Sequence, residues 1–192
     1  MNVGIIGFGK MGQIRAHSIE QSGKAKVKAI YEINYLPKKI KYSLSKEIND
    51  IINNPDIDAV FICTPNYLNK PLTIQSLEAG KHVFCEKPPG RDLDDMAWVI
   101  ASEKSHPGLK LKYGFNHRYH NSVKDALAIV ASGEMEKVIN LRGMYGKSQL
   151  VTFGKDHDWR TSRKFAGGGI LLDQGIHMVD LIRLFGGEFE DI

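Results

Sequence analysis

The sequence predicts a doubly wound α/β domain followed by the opening of a second, α+β domain. Three observations carry this. Short apolar runs alternate with helical stretches from the start of the chain. A glycine-rich turn, Gly7-Phe-Gly-Lys-Met-Gly12, stands between the first run and the first helical stretch. The alternation then changes character near residue 120. The expected division is 1–120 for the first domain and 121–192 for part of the second.

Val3–Ile6 reads as a strand, and the glycine turn leads into a helix through Ile19. Val27–Tyr31 is a second strand, closed by Glu32. Pro37–Tyr42 reads as a short helix, and Ser45 is placed to cap another that runs to about Asn53. Ala59–Cys63 is continuously apolar, as a strand covered on both faces of a parallel sheet must be. Tyr67–Ala79 is helical and stops at Gly80. His82–Cys85 is the next strand. Asp92 or Asp94 starts a helix that ends near Pro107, and Leu109–Phe115 returns as a strand. Beyond it, Ser122–Ala131 is helical before Gly133, Lys137–Tyr145 alternates imperfectly as a strand, and a loop spans Gly146–Lys164. Gly167-Gly-Gly169 then opens a strongly apolar helix that ends at Gly186-Gly187.

Composition narrows the class without naming a chemistry. Apolar residues make up 42% and charged residues 25%, values of a globular core-forming chain. The net charge of +4 is small, and the lysine clusters at 24, 26, 28 and at 38, 39, 41 are broken by apolar residues. They read as solvated faces, so no nucleic-acid partner is expected. No apolar run approaches the ~20 residues of a membrane span, and Met1-Asn2-Val3-Gly4 lacks a leader pattern. Cys63 and Cys85 share no metal or redox spacing; free thiols at strand ends, in a reducing cytoplasm, are expected, with no metal.

The glycine turn needs each glycine for a separate reason. Gly7 permits the tight turn off the strand, Gly9 lets a pyrophosphate approach the backbone, and Gly12 lets the helix pack on the sheet. Phosphates then meet free N–H groups at a helix start. Glu32 lies 20 residues past Gly12, at a strand end, where a carboxylate can hold both ribose hydroxyls. It repels a 2′-phosphate, so NAD is expected over NADP.

In the last helix, Asp173 and His177 are four residues apart and fall on one face, with Asp180 three further on. A carboxylate beside an imidazole fixes its tautomer and stabilises its protonated form, which suits a general base.

Together with Cys63-Thr-Pro-Asn66, Ala79-Gly-Lys-His-Val-Phe-Cys-Glu-Lys-Pro88, Gly114-Phe-Asn-His-Arg118, Trp159-Arg160 and Gly167-Gly-Gly-Ile-Leu-Leu-Asp-Gln-Gly-Ile-His177, the glycine turn resembles the glucose–fructose oxidoreductase / inositol dehydrogenase (GFO/IDH/MocA) family. The motifs run in the family's order across nearly the whole chain. The resemblance implies a Rossmann domain joined to a domain with an open, mainly antiparallel sheet, which is cut short here because family members continue for about a hundred residues more. It implies NAD- or NADP-dependent oxidation or reduction of a sugar, inositol or sugar-nucleotide hydroxyl, by a homodimer or homotetramer.

Carried onto this chain, the resemblance makes Lys87, Asp173 and His177 catalytic. It places Gly7, Phe8, Gly9, Lys10, Met11, Gly12, Glu32, Thr64, Pro65, Asn66, Glu86 and Lys87 around the cofactor. Asn116, His117, Arg118, Trp159, Arg160 and His177 are placed toward the substrate. Asn69 departs from the pattern, standing where many members have histidine, and Glu136 replaces a frequent glycine. A non-catalytic dinucleotide sensor on the same fold is the alternative class. Retention of Lys87, Asp173 and His177 favours an enzyme, because a sensor has no need of a base.

Overall fold

The computed structural model describes residues 1–34, 40–146 and 159–191. Six parallel strands form one sheet: β1 (Asn2–Ile6), β2 (Lys26–Tyr31), β3 (Ser43–Leu44), β4 (Ala59–Ile62), β5 (His82–Cys85) and β6 (Leu111–Tyr113). Their order is β3-β2-β1-β4-β5-β6, the Rossmann arrangement. The chain reverses direction across the sheet between β1 and β4, which pair in register from Val3↔Ala59 to Ile6↔Ile62. The carboxyl ends of these two strands frame the crevice where such sheets bind ligands.

Helices α1 (Lys10–Ser22), α2 (Asn49–Ile52), α3 (Asn66–Glu78) and α4 (Leu93–Ser105) cover the sheet. Successive strand residues serve opposite faces. Ile6, Val60, Ile62, Val83 and Cys85 pack with Ile51, Ile52, Leu72 and Leu77. Ile5, Ile30 and Ala59 pack with Phe8, Ala16 and Ile19 of the other layer. Both faces are buried, which is why these strands are apolar throughout.

Several boundaries differ from the sequence reading. The helix expected from Ser45 begins at Asn49, because the Ser45 N–H donates to Ile30 O and extends the sheet edge. The Asp50 carboxylate instead accepts the N–H groups of Lys46 and Glu47. The expected helix at 37–42 lies partly outside the described residues; 40–42 are not helical. Asp92, rather than Asp94, caps α4, its carboxylate accepting the Asp95 N–H at 2.8 Å.

After β6 comes a short 3₁₀ turn, Asn116–Tyr119, and then α5 (Asn121–Ser132), which ends on a left-handed Gly133. No strand forms at 137–145 among the described residues. A strand exists through ladder bonds to a neighbour, and among the described residues none pairs with this segment; Gly143 instead abuts Met178 and Ile182. Of the expected loop 146–164, residues 147–158 lie outside the description. Trp159–Thr161 is a 3₁₀ turn and α6 (Arg163–Ala166) follows. The final helix is not uniform: Leu171–Gly175 forms a π-helical turn before α7 (Ile176–Gly186).

Candidate active site

The floor of the site is built by β1, β4 and their turns. Gly7 has φ +87°, and a Cβ there would lie 2.5 Å from Cys63 O. A Cβ on Gly12 would lie 2.2 Å from Gly7 O, so neither position tolerates a side chain. Gly9 differs, since space is open where its Cβ would be. It caps α1 with no side-chain hydrogen bond and no acid in the first turn. The helix start is thus a cradle with bare backbone, the shape and polarity that a pyrophosphate requires. Phe8 turns its side chain into the core, while its N–H donates to Glu32 Oε2 at 2.6 Å. The Glu32 Oε1 accepts from Asn34. The carboxylate therefore stands beside the cradle, at the end of β2. These residues fit a dinucleotide.

From Gly9, Lys10 and Met11 a cleft of about 560 Å³ runs along Cys63, Thr64, Pro65 and Asn66 to Glu86 and Lys87, and on to Asn116, His117, Asp173 and His177. Trp159 and Arg160 form one wall, with the guanidinium 4.3 Å over the indole. The structure thus brings the cradle and the three expected catalytic side chains to one opening.

Their pairing departs from the sequence reading. Asp173 does not hold His177. Its Oδ1 accepts from Lys87 Nζ at 2.8 Å, its Oδ2 accepts from Gln174, and Lys87 also donates to the Asp173 carbonyl. Burial raises the Asp173 pKa, but these donors outweigh it and hold the carboxyl below its usual range. The π-helical turn between Asp173 and His177 breaks the regular spacing on which the expected pairing depended.

His177 is 4% exposed, and its Nδ1 is buried without a partner. Burial, then His117 and Lys87, push its pKa down to about 4. The imidazole is therefore neutral at neutral pH, the reverse of the stabilised imidazolium that the acid–histidine spacing implied.

Other expected residues are engaged elsewhere. Arg118 Nε donates to Asp180 Oδ2 at 2.7 Å and Nη2 to Oδ1, tying the 3₁₀ turn to α7. Asn66 Nδ2 donates to Ala166 O at 2.8 Å. Glu86 is paired with Arg15 at 2.6 Å. Three useful residues escaped the sequence reading. Asn69, fully buried, donates to Glu86 O and Pro88 O and so clamps the backbone on either side of Lys87. Arg15 fixes the adjacent carboxylate. Gln174 orients Asp173. The departure at Asn69 was the one available signal, because an amide on a helix facing a strand end is equipped to hold carbonyls.

Comparison with known proteins places the fold in a family. Residues 1–115 match the GFO_IDH_MocA oxidoreductase family with its NAD-binding Rossmann fold, and residues 123–192 match the GFO/IDH/MocA C-terminal domain. Levoglucosan dehydrogenase of Pseudarthrobacter phenanthrenivorans is 29% identical over all of this chain and 53% of its own length. Myo-inositol 2-dehydrogenase of Thermotoga maritima is 31% identical over all of this chain and 57% of its own. A solved levoglucosan dehydrogenase in complex with NADH and levoglucosan superposes with a TM-score of 0.90, at 29% identity, over 98% of this chain and 54% of that one. The chain spans about half the length of these relatives. It belongs to the GFO/IDH/MocA family of NAD-binding oxidoreductases.

Proposed function

We propose that the chain carries the cofactor site and the catalytic residues of an NAD-dependent dehydrogenase acting on a hydroxyl of a sugar, polyol or nucleotide sugar. The observation that supports it best is the convergence of Lys87, Asp173 and His177 on the cleft that begins at the Gly9 cradle. When bound, NAD supplies the nicotinamide C4 that accepts hydride. The chain's own residues handle the proton. With Nδ1 enclosed, Nε2 is the His177 nitrogen available to a substrate hydroxyl, and the neutral ring accepts its proton. Lys87, positioned by its ion pair with Asp173, stabilises the developing alkoxide. Asn69 holds the backbone on either side of Lys87, and Arg15 holds the neighbouring Glu86 carboxylate.

Glu32 favours NAD over NADP by accepting from the ribose diol and repelling a 2′-phosphate. Arg160 at the cleft favours a substrate with an anionic group, such as a nucleotide sugar. Uncharged sugars and polyols are the second reading, supported by the names of the relatives. The division at residue 120, a cytoplasmic setting and a homodimer or homotetramer belong to the same proposal. Among the described residues no helix is long and apolar enough to cross a membrane.

The test is NADH binding by nicotinamide fluorescence, then NAD reduction at 340 nm against a panel of sugars, polyols and nucleotide sugars. Lys87→Ala and His177→Ala each lose at least ~10²-fold in turnover while keeping NADH binding. Glu32→Ala weakens NAD and relaxes discrimination against NADP. A chain that fails to bind NADH, or variants with undiminished turnover, would overturn the proposal.

A further inference from the structure

We propose that His117 is a positioning residue for His177: its imidazole lies flat on the His177 ring, fixing that ring's plane and barring a second positive charge from the pair. The inference rests on the reading of His177 as proton acceptor. It assigns to His117 a task other than contacting substrate.

The two ring centroids are 3.9 Å apart and the planes differ by 14°. Phe115 meets His177 edge-on, with centroids 6.1 Å apart and an interplanar angle of 87°. The His177 ring is therefore held by one face and one edge, both supplied by residues 115–117. Two unit charges at stacking distance in a partly dry site repel strongly, so one proton at most is shared by the pair. His117 backs onto His120, 5.0 Å away, and Tyr145, 5.7 Å away.

The other charged groups facing His177 do not reverse this. Lys87, on the loop after β5, adds positive charge. Asp173 on the π-helical turn and Asp180 on α7 favour protonation, but the first is engaged by Lys87 and the second by Arg118. Burial, then His120 and Lys87, lower the pKa of His117 as well. Neither ring is charged at neutral pH, and His117, the more exposed, is the one able to take up a proton as the pH falls.

The consequence for the reaction is a base that stays unprotonated and correctly aimed into mildly acidic conditions. It accepts one proton from the substrate hydroxyl per turnover and must then release it, which the crowding of positive charge promotes.

The experiment is an NMR titration of the histidine ring resonances of the chain from pH 8 to pH 4, without cofactor or substrate. It compares the unaltered chain with His117→Phe, which keeps a flat ring without charge, and His117→Ala, which removes both. In His117→Phe the protonated fraction of His177 at pH 5 rises at least ~3-fold while the ring-current shift of its protons persists. In His117→Ala the ring-current shift is lost as well. In turnover assays the acid limb of the pH–rate profile of His117→Phe moves toward neutral pH. A His177 titration that is the same in the unaltered chain and in His117→Phe would overturn the proposal, whatever the turnover. If His117→Ala fails to fold, His117→Phe still decides the question. If instead the titration moves and no substrate is ever turned over, the dehydrogenase reading fails and the pairing of the rings stands.

Discussion

Residues 1–115 and residues 116–191 bury different kinds of side chain. In the first region the buried residues are mainly Ile, Val, Leu and Ala on two faces of a sheet. In the second, the buried side chains among the described residues are Ala166, His177 and Asp180. Helix α5 buries none, and Ile139, Met144 and Leu171 are 95%, 87% and 74% exposed. One region is held by apolar area. The other is attached through polar contacts that surround the site: Lys87 with Asp173, Arg118 with Asp180, Asn66 with Ala166, and Arg91 with Lys164. The lesson is that a site can be assembled where two regions meet by hydrogen bonds, while the apolar surface of the second remains available for further packing.

The largest effect should separate the two regions cleanly. Ile62→Ala in β4 costs about 2–5 kcal/mol in urea unfolding, whereas Ile129→Ala on the open side of α5 stays within about 0.5 kcal/mol. Equal losses would erase the contrast.

Asp95 is a polar exception inside the first region. It is 2% exposed, accepts from Arg91 and Lys70, and anchors the turn against which Gly167 packs. Asp95→Ala should cost about 2–3 kcal/mol. Burial alone would raise its pKa, but hydrogen bonds from Arg91 and Lys70 outweigh it and lower it strongly. The carboxylate's stabilisation is therefore present above the unfolded value near 3.8 and is lost as pH falls below it. Acid unfolding of Asp95→Asn should show a flatter pH dependence in that range.

His177 works in a different window. Its pKa falls from 6.5 to about 4 on folding, led by burial. Between these values the unfolded chain binds the extra proton, so stability declines as pH is lowered from 6.5 toward 4. His177→Gln should remove part of that slope from the thermal midpoint, and an unchanged slope would place the ring in water. The smallest effect concerns attachment. Arg118→Gln should cost about 1 kcal/mol and speed amide exchange in α7 while leaving β4 unchanged.

Much of the first region was legible because its signals are local. The strand at His82–Cys85 has the boundaries read from its apolar run, and the continuous run at Ala59–Cys63 marked a strand buried on both faces, observed at Ala59–Ile62. Gly7, Gly9 and Gly12 have steric roles that depend only on the turn between β1 and α1. The second region was less legible. The alternation at 137–145 has the look of a strand, but pairing requires a neighbour. The Asp173–His177 spacing assumed a regular helix, and a single π-helical turn redirected the carboxylate to Lys87.

By itself, the sequence determined the strands and helices of the first region apart from the edge strand β3, and the glycine turn that forms the dinucleotide cradle. Apolar periodicity and glycine conformational freedom act within a few residues of chain, so they can be read there. The tertiary structure decided which residues of the site hold one another. Lys87 and Asp173 are 86 residues apart, Arg118 and Asp180 are 62 apart, and His117 reaches His177 across 60 positions. Coulomb attraction, burial and ring stacking act through space, so the neutral state of His177 and the engagement of Asp173 by Lys87 exist only once the two regions are folded together.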